Sequence, residues 1–248
     1  MAFSCPHCPL EDRKAIDWLL TQIASYQPDV IVHLGDGHEA SGASVHPNEE
    51  RFTLKEEYAA HDKLLGDIRK AATHKGRRNA RLVFLPGNHD DNILAACRID
   101  SKVRELCDYR KHEPELTNWE QPAEYIYDRK KGTFKLGQVT FAHGYEAGMG
   151  GGRFQSVLLG MPYGLTVTGH THRPEHVTRA MMTQGVPLPF WWANAGCMRD
   201  LKPDYVKRKR THLWGQAVVV GECEEVKSPR LSRAWEAETR IFRMSDDA

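Results

Sequence analysis

The sequence predicts an α/β (α+β layered) sandwich. Apolar β-branched runs alternate with helical patterns through the first half of the chain. Short alternating strands separated by glycine turns dominate the second half. The 248 residues, 40% hydrophobic and 27% charged, contain no repeat and no low-complexity linker, so they suffice for one large core.

The elements follow in order. Residues 2–4 allow only a very short strand. Residues 11–26 read as a helix, with Ile16, Leu19, Leu20, Ile23 and Ala24 on one face, and Pro28-Asp29 breaks it. VIVHLGD (30–36) is a buried strand ending in Gly-Asp, and 37–48 has loop composition. Leu54, Tyr58, Leu64, Leu65 and Ile68 mark a second helix. RLVFLPGNHD (81–90) is a strand running into a turn, 91–109 reads as helical and 110–122 as loop. From Ala123 the strand candidates are AEYIYD, TFKL, QVTFAHG, LTVTGHTH, EHVTRA, PFWWANAG and GQAVVVGE, with a helix over FQSVLLG. The domain is expected to span 1–223. Residues 224–248 read as an extension, partly helical around Leu231, Ala234 and Trp235 or disordered.

Composition excludes several classes. A net charge of +1 rules out a polycation, so nucleic-acid binding would need a local patch. No apolar run has the length of a membrane span and no secretory leader is visible, so no membrane is expected and a cytoplasmic location is. The six cysteines are then expected to stay reduced. The 13 histidines direct attention to metal or acid–base chemistry.

Apolar strands repeatedly end in loops that carry metal-capable side chains. The first gives Cys5 and His7, the second Asp36, the third Asn88, His89 and Asp90. Later strands give His143, then His170 and His172. Ligands at the carboxyl ends of several strands converge on one edge, and glycines at 35, 87, 144 and 169 permit sharp turns and close approach. Cys5-Pro6-His7-Cys8 admits three readings: a redox pair, half of a zinc site, or one metal ligand beside a bystander cysteine.

GD (35–36), GNHD (87–90), HG (143–144) and GHTH (169–172), in that order, resemble the calcineurin-like metallophosphoesterases. The family's first motif is Asp-x-His; here that position reads Cys5-Pro6-His7. The resemblance spans about residues 3–220, including WANAG, and is closest to compact members of phage and prophage type. It implies a sandwich of two mixed β-sheets flanked by helices. It also implies two divalent ions, manganese first, with zinc or iron as alternatives. One ion would be held by Cys5, His7, Asp36 and His172. The other would be held by Asp36, Asn88, His143 and His170, with Asp36 bridging. A hydroxide bridging the ions would attack phosphorus, with His89 stabilising the transition state or protonating the leaving group and Asp90 orienting His89. A Cys5 thiolate keeps the single negative charge of aspartate but is softer, which tilts its ion toward zinc or iron.

Other residues are weighed beside these. His33 reads as a hydrogen-bonded core histidine and His38 as a polar loop residue with a lesser case for substrate contact. His46, His61, His74, His112, His176 and His212 read as surface. Arg153, in the glycine-rich MGGGR, and Arg173, directly after GHTH, are candidate phosphate-binding groups. KRKR (207–210) reads as a solvated turn, with nucleic-acid contact as the rival. Trp191 and Trp192 must point to opposite faces of a strand. The implied reaction is phosphoester hydrolysis, with a nucleic-acid or nucleotide diester as the leading substrate. GDGHEAS departs from the Gly-Asp-x-x-Asp-Arg-Gly of the protein phosphatases. The alternatives are a phosphomonoesterase, a metal-binding scaffold with an altered site, and a Cys-x-x-Cys thiol oxidoreductase. The oligomeric state is left open.

Overall fold

The structure is a computed structural model that describes residues 1–43, 52–73, 79–97, 107–122, 127–128, 131–137, 139–146, 165–183, 186–202, 213–226 and 234–246. The strands are β1 (Ala2–Phe3), β2 (Val30–His33), β3 (Arg81–Phe84), β4 (Phe134–Leu136), β5 (Val139–Phe141), β6 (Leu165–Thr168), β7 (Pro174–Thr183), β8 (Val186–Ala195), β9 (Ala217–Val226) and β10 (Ala234–Arg243). They form two five-stranded sheets, ordered β10-β9-β1-β2-β3 and β4-β5-β6-β8-β7. In the first, β1, β2 and β3 run parallel and β9 and β10 are antiparallel additions. In the second, β5, β6 and β8 run parallel between antiparallel β4 and β7. Both sheets are mixed, as the resemblance implied.

Side-chain alternation builds two cores from the same strands. On β3 and the residue after it, Leu82 and Phe84 join one cluster while Val83 and Leu85 join the other. The second cluster lies between the sheets, where Ala2, Val32, Leu34 and Val219 meet Val139, Leu165, Val167 and Trp191. The first cluster covers the opposite face of the first sheet with helices α1 (Arg13–Tyr26), α2 (Leu54–Ala71) and α3 (Asn88–Cys97). Ala15, Ile16, Leu19 and Ile23 form the buried stripe of α1. Each fully buried Leu or Ile there contributes about 1.5–3 kcal/mol over an exposed one.

Helix ends follow local chemistry. Asp12 caps α1, accepting from the Lys14 amide at 2.9 Å. Left-handed Gln27 closes that helix by donating to the Ile23 carbonyl. Thr53 and Glu56 cap each other at the start of α2. Among the described residues no helix is long and apolar enough to cross a membrane.

Three expectations are corrected. The chain around Ala234 and Trp235 is not helical: Ala234–Arg243 pairs along its length with β9, because a strand there extends the sheet edge. Helix α3 spans Asn88–Cys97, starting before the expected residue 91; Cys107 is again helical, and the stretch expected as loop over 110–122 carries the 3-10 turns Tyr109–Lys111 and Pro114–Asn118. Tyr127 and Asp128 are not in a strand. The FQSVLLG helix lies outside the described residues.

Candidate metal centre

The site forms where the parallel strands of both sheets end. After β1 the chain is hydrogen-bonded to the loop after β2. Cys5 N–H donates to Gly35 O at 3.0 Å, His7 N–H to Asp36 O at 3.0 Å and Cys8 N–H to Gly37 O at 2.8 Å. The loop after β3 comes so close that a Cβ on Gly87 would lie 2.2 Å from Asp36 Oδ1. A Cβ on Gly169, after β6, would lie 2.0 Å from Ser4 Oγ. Asn194, at the end of β8, donates to Gly169 O and Thr168 Oγ1 and accepts from Gly196 N–H, which fixes the GHTH loop.

The backbone at these positions is unusual. Cys5, His7 and Asp36 have φ of 53°, His172 59° and His170 67°. Side-chain-bearing residues avoid this left-handed region, and their concentration marks conformations held by surrounding contacts.

The side chains meet in two groups that share Asp36. Ligand-capable atoms of Cys5, His7, Asp36 and His172 lie within 4.8 Å of one another, as do those of Asp36, His143 and His170. Asp36 Oδ2 is 3.6 Å from His7 Nε2, 3.2 Å from His143 Nε2 and 3.9 Å from Cys5 Sγ. His7 Nε2 and His172 Nε2 face each other at 3.1 Å. Asn88 Oδ1 lies 2.9 Å from His170 Nδ1 and 3.1 Å from His143 Nε2.

One feature of this arrangement tests its fit to a cation. His143 Nδ1 lies 2.6 Å from the Leu34 carbonyl, which can only accept, so Nδ1 carries the proton. Nε2 then turns a lone pair toward Asp36 Oδ2 and Asn88 Oδ1. Three acceptors facing one another need positive charge among them, from a second proton on His143 or from a cation. The donor set of thiol, imidazoles, carboxylate and amide oxygen fits divalent transition metals.

The electrostatics agree with that fit. Burial and then His89 hold His7 well below the ordinary imidazole range, and burial and then His7 do the same to His172. Burial and His143 lower His170 to about 4. Burial alone would raise the Asp36 carboxyl, but His143, His89 and His7 outweigh it and hold it well below its usual value. His143 is the exception: Asp36, the Leu34 carbonyl and Asp90 together outweigh burial and raise it, so binding a cation there must displace its second proton. Neutral imidazoles and an ionised carboxylate are the ligating forms of these groups. Burial and then Asp36 push the Cys5 thiol well up, so a thiolate there requires a positive partner.

A sequence model of the calcineurin-like phosphoesterases matches residues 1–174, a span that holds Cys5, His7, Asp36, Asn88, His143, His170 and His172. The chain belongs to that family. As a calcineurin-like phosphoesterase it is a metal-dependent phosphoester hydrolase. Among solved structures, the phosphoesterase YfcE from E. coli is similar at 19% identity and a TM-score of 0.35, over 84% of this chain and 82% of that one. A search of curated proteins finds no match.

Around the centre of this phosphoesterase lie residues in places the sequence did not indicate. His89 N–H donates to Asp36 Oδ1 at 2.9 Å, and its Nδ1 lies 2.6 Å from the Glu39 carbonyl, which places the proton on Nδ1. Asp90 does not orient His89, the role expected of it. Its Oδ2 accepts from the amides of Asp36 and Gly87, at 2.9 and 2.7 Å, and its Oδ1 from the amide and Nδ1 of His38. His38, in the loop after β2 as expected, and His61, expected at the surface, are both fully buried. His38 bridges Asp90 and Glu113, and Glu113 also bonds His61 Nδ1 at 2.8 Å. Burial would lower His38, but Glu113 and Asp90 outweigh it and raise it to about 10. His33 is a core histidine whose Nδ1 accepts from Gly35 N–H at 3.0 Å, as expected.

Glu39 and Arg199 were missed. Both are buried. Glu39 Oε2 lies 2.9 Å from His7 Nδ1, off the line of a straight hydrogen bond, and 3.3 Å from Arg199 Nη1. The acidic residue three positions after Asp36 was the available signal for Glu39; nothing in the sequence pointed to Arg199. Arg173 is half-buried with its Nε unbonded. Cys5 and Cys8 are free thiols, not a disulfide. Arg153 and KRKR lie outside the described residues.

Proposed function

We propose that the chain is a two-metal phosphodiesterase acting on nucleic-acid or nucleotide diesters. The observation that carries this reading is the position of Asp36 Oδ2 between the His7 and His143 imidazoles, which suits a carboxylate shared by two ions. Cys5, His7, Asp36 and His172 would hold one divalent ion. Asp36, Asn88, His143 and His170 would hold the other, manganese first and zinc or iron next. When bound, such a pair supplies Lewis acidity to the phosphoryl group and to the attacking water.

The remaining roles fall to the chain itself. His89, anchored through Nδ1–H on the Glu39 carbonyl, would act as proton donor in its imidazolium form, giving the Nε2 proton to the leaving oxygen and keeping the one on Nδ1. Its amide and the Asp90 clamp keep Asp36 in place. Arg173, next to His172, is suited to pair with a phosphate oxygen.

The test is hydrolysis of bis-p-nitrophenyl phosphate beside p-nitrophenyl phosphate. Reduced protein is stripped with chelator and resupplied with manganese, zinc, iron or magnesium separately. Metal-dependent cleavage of the diester is expected. Cleavage of the monoester alone replaces the diesterase reading with a phosphomonoesterase, and no turnover with any metal by folded protein replaces it with a metal-binding scaffold.

A further inference from the structure

An aromatic stack adjoins the centre on its His143 side. The Tyr127 ring stands edge-on to His143, with centroids 5.6 Å apart and an angle of 73°. Tyr145 lies nearly parallel to Tyr127, at 5.2 Å and 13°. The Tyr127 hydroxyl donates to the Gly144 carbonyl at 3.0 Å, which fixes that ring. Gly144, with φ of +103°, turns the chain directly from His143 into Tyr145. Tyr145 remains 38% exposed.

We infer that Tyr145, backed by Tyr127, is a stacking platform for the nucleobase of a substrate whose phosphoester sits at the Asp36 centre. The inference rests on the proposed diesterase reading and deepens it. The physical grounds are three. The stack begins at a side chain of the centre and ends at a partly exposed tyrosine only two residues along the chain from His143. A ring held from behind loses little freedom when a base covers its face. Stacking accepts any base, since every base has a π-face. Trp214 also meets the centre, edge-on to His172 at 4.3 Å, but it touches a residue of the centre directly. Tyr145 is one ring removed and can be changed without disturbing the histidines.

The experiment compares a dinucleotide with the same molecule lacking one base, using metal-loaded wild type, Tyr145→Ala and Tyr145→Phe. Wild type and Tyr145→Phe should favour the base-bearing diester about tenfold in kcat/KM, and Tyr145→Ala should lose the preference while cleaving the abasic diester as wild type does. Equal cleavage of both diesters by wild type, or an equal loss on both in Tyr145→Ala, overturns the platform and leaves the diesterase reading standing. Cleavage of p-nitrophenyl phosphate with neither dinucleotide cleaved overturns both. Calorimetric binding of AMP against ribose 5-phosphate gives a readout that needs no turnover: about tenfold tighter AMP binding, lost in Tyr145→Ala, supports the platform, and equal affinities overturn it.

Discussion

At Cys5 a single side chain bears on the choice of metal. Burial and Asp36 oppose a thiolate at its sulfur more than the hydrogen bond accepted from Ser4 Oγ at 2.8 Å favours one, so it can be anionic only beside a cation. Cys5→Asp keeps the charge with a harder donor and should lower the ratio of zinc-supported to manganese-supported turnover. An unchanged ratio would mean that Cys5 does not coordinate. His89→Ala removes the proton donor and should reduce kcat about 10²–10⁴-fold, with metal stoichiometry by elemental analysis unchanged. Loss of metal on that change would place His89 among the ligands. Glu39 biases the His7 proton toward Nδ1, leaving the Nε2 lone pair toward the centre. Glu39→Gln should weaken metal binding about 10–100-fold in a competition titration with a chelator dye. Intact affinity would reduce Glu39 to a partner of Arg199.

At the scale of elements, the site is a set of loops held by buried groups behind it. Asp90 ties the β2 loop to the start of α3, and His38, Glu113 and His61 tie both to α2 and to the turn before Pro114. Glu57, on α2, accepts from the amides of Ala40 and Ser41 at 2.7 and 2.9 Å. Removing one partner from a buried charged cluster strands the others. Glu113→Ala should therefore cost about 3–5 kcal/mol in urea denaturation. A loss below about 1 kcal/mol would show that the cluster behaves like an exposed ion pair. The strands and their loop residues were legible because a period of two and a Gly-Asp or Gly-Asn-His-Asp ending are local signals. The clamp was not, because Glu113 and His61 lie far from Asp90 in sequence and nothing local marks a buried carboxylate. Helix periodicity misread β10 for the same reason: its structure is set by pairing with β9, a tertiary contact that overrides local preference.

At the scale of the molecule, the centre couples metal binding to the stability of the sandwich. The loops that meet at Asp36 come from both sheets, β1, β2 and β3 on one side and β5 and β6 on the other. Five of their residues hold left-handed backbone, at about 1–3 kcal/mol each. Without a cation, the Asp36, Asn88 and His143 groups must also take up a second proton on His143. An ion that binds only the folded chain offsets these costs, by about 2.7 kcal/mol when free metal stands at a hundred times its dissociation constant. For a chain of this size that corresponds to roughly 5–10 °C in Tm. Thermal unfolding followed by circular dichroism, with and without chelator, should show a drop of that order, and manganese should reverse it. Asp36→Asn should behave as the stripped protein does and gain little from added metal, since the shared carboxylate is then gone. If chelator leaves Tm unchanged in a protein shown by elemental analysis to have lost its metal, the backbone strain is held by protein contacts alone. The Asp90 clamp within the first sheet's loops and the His143–Leu34 hydrogen bond between the sheets, rather than the ions, would then be what holds the centre together.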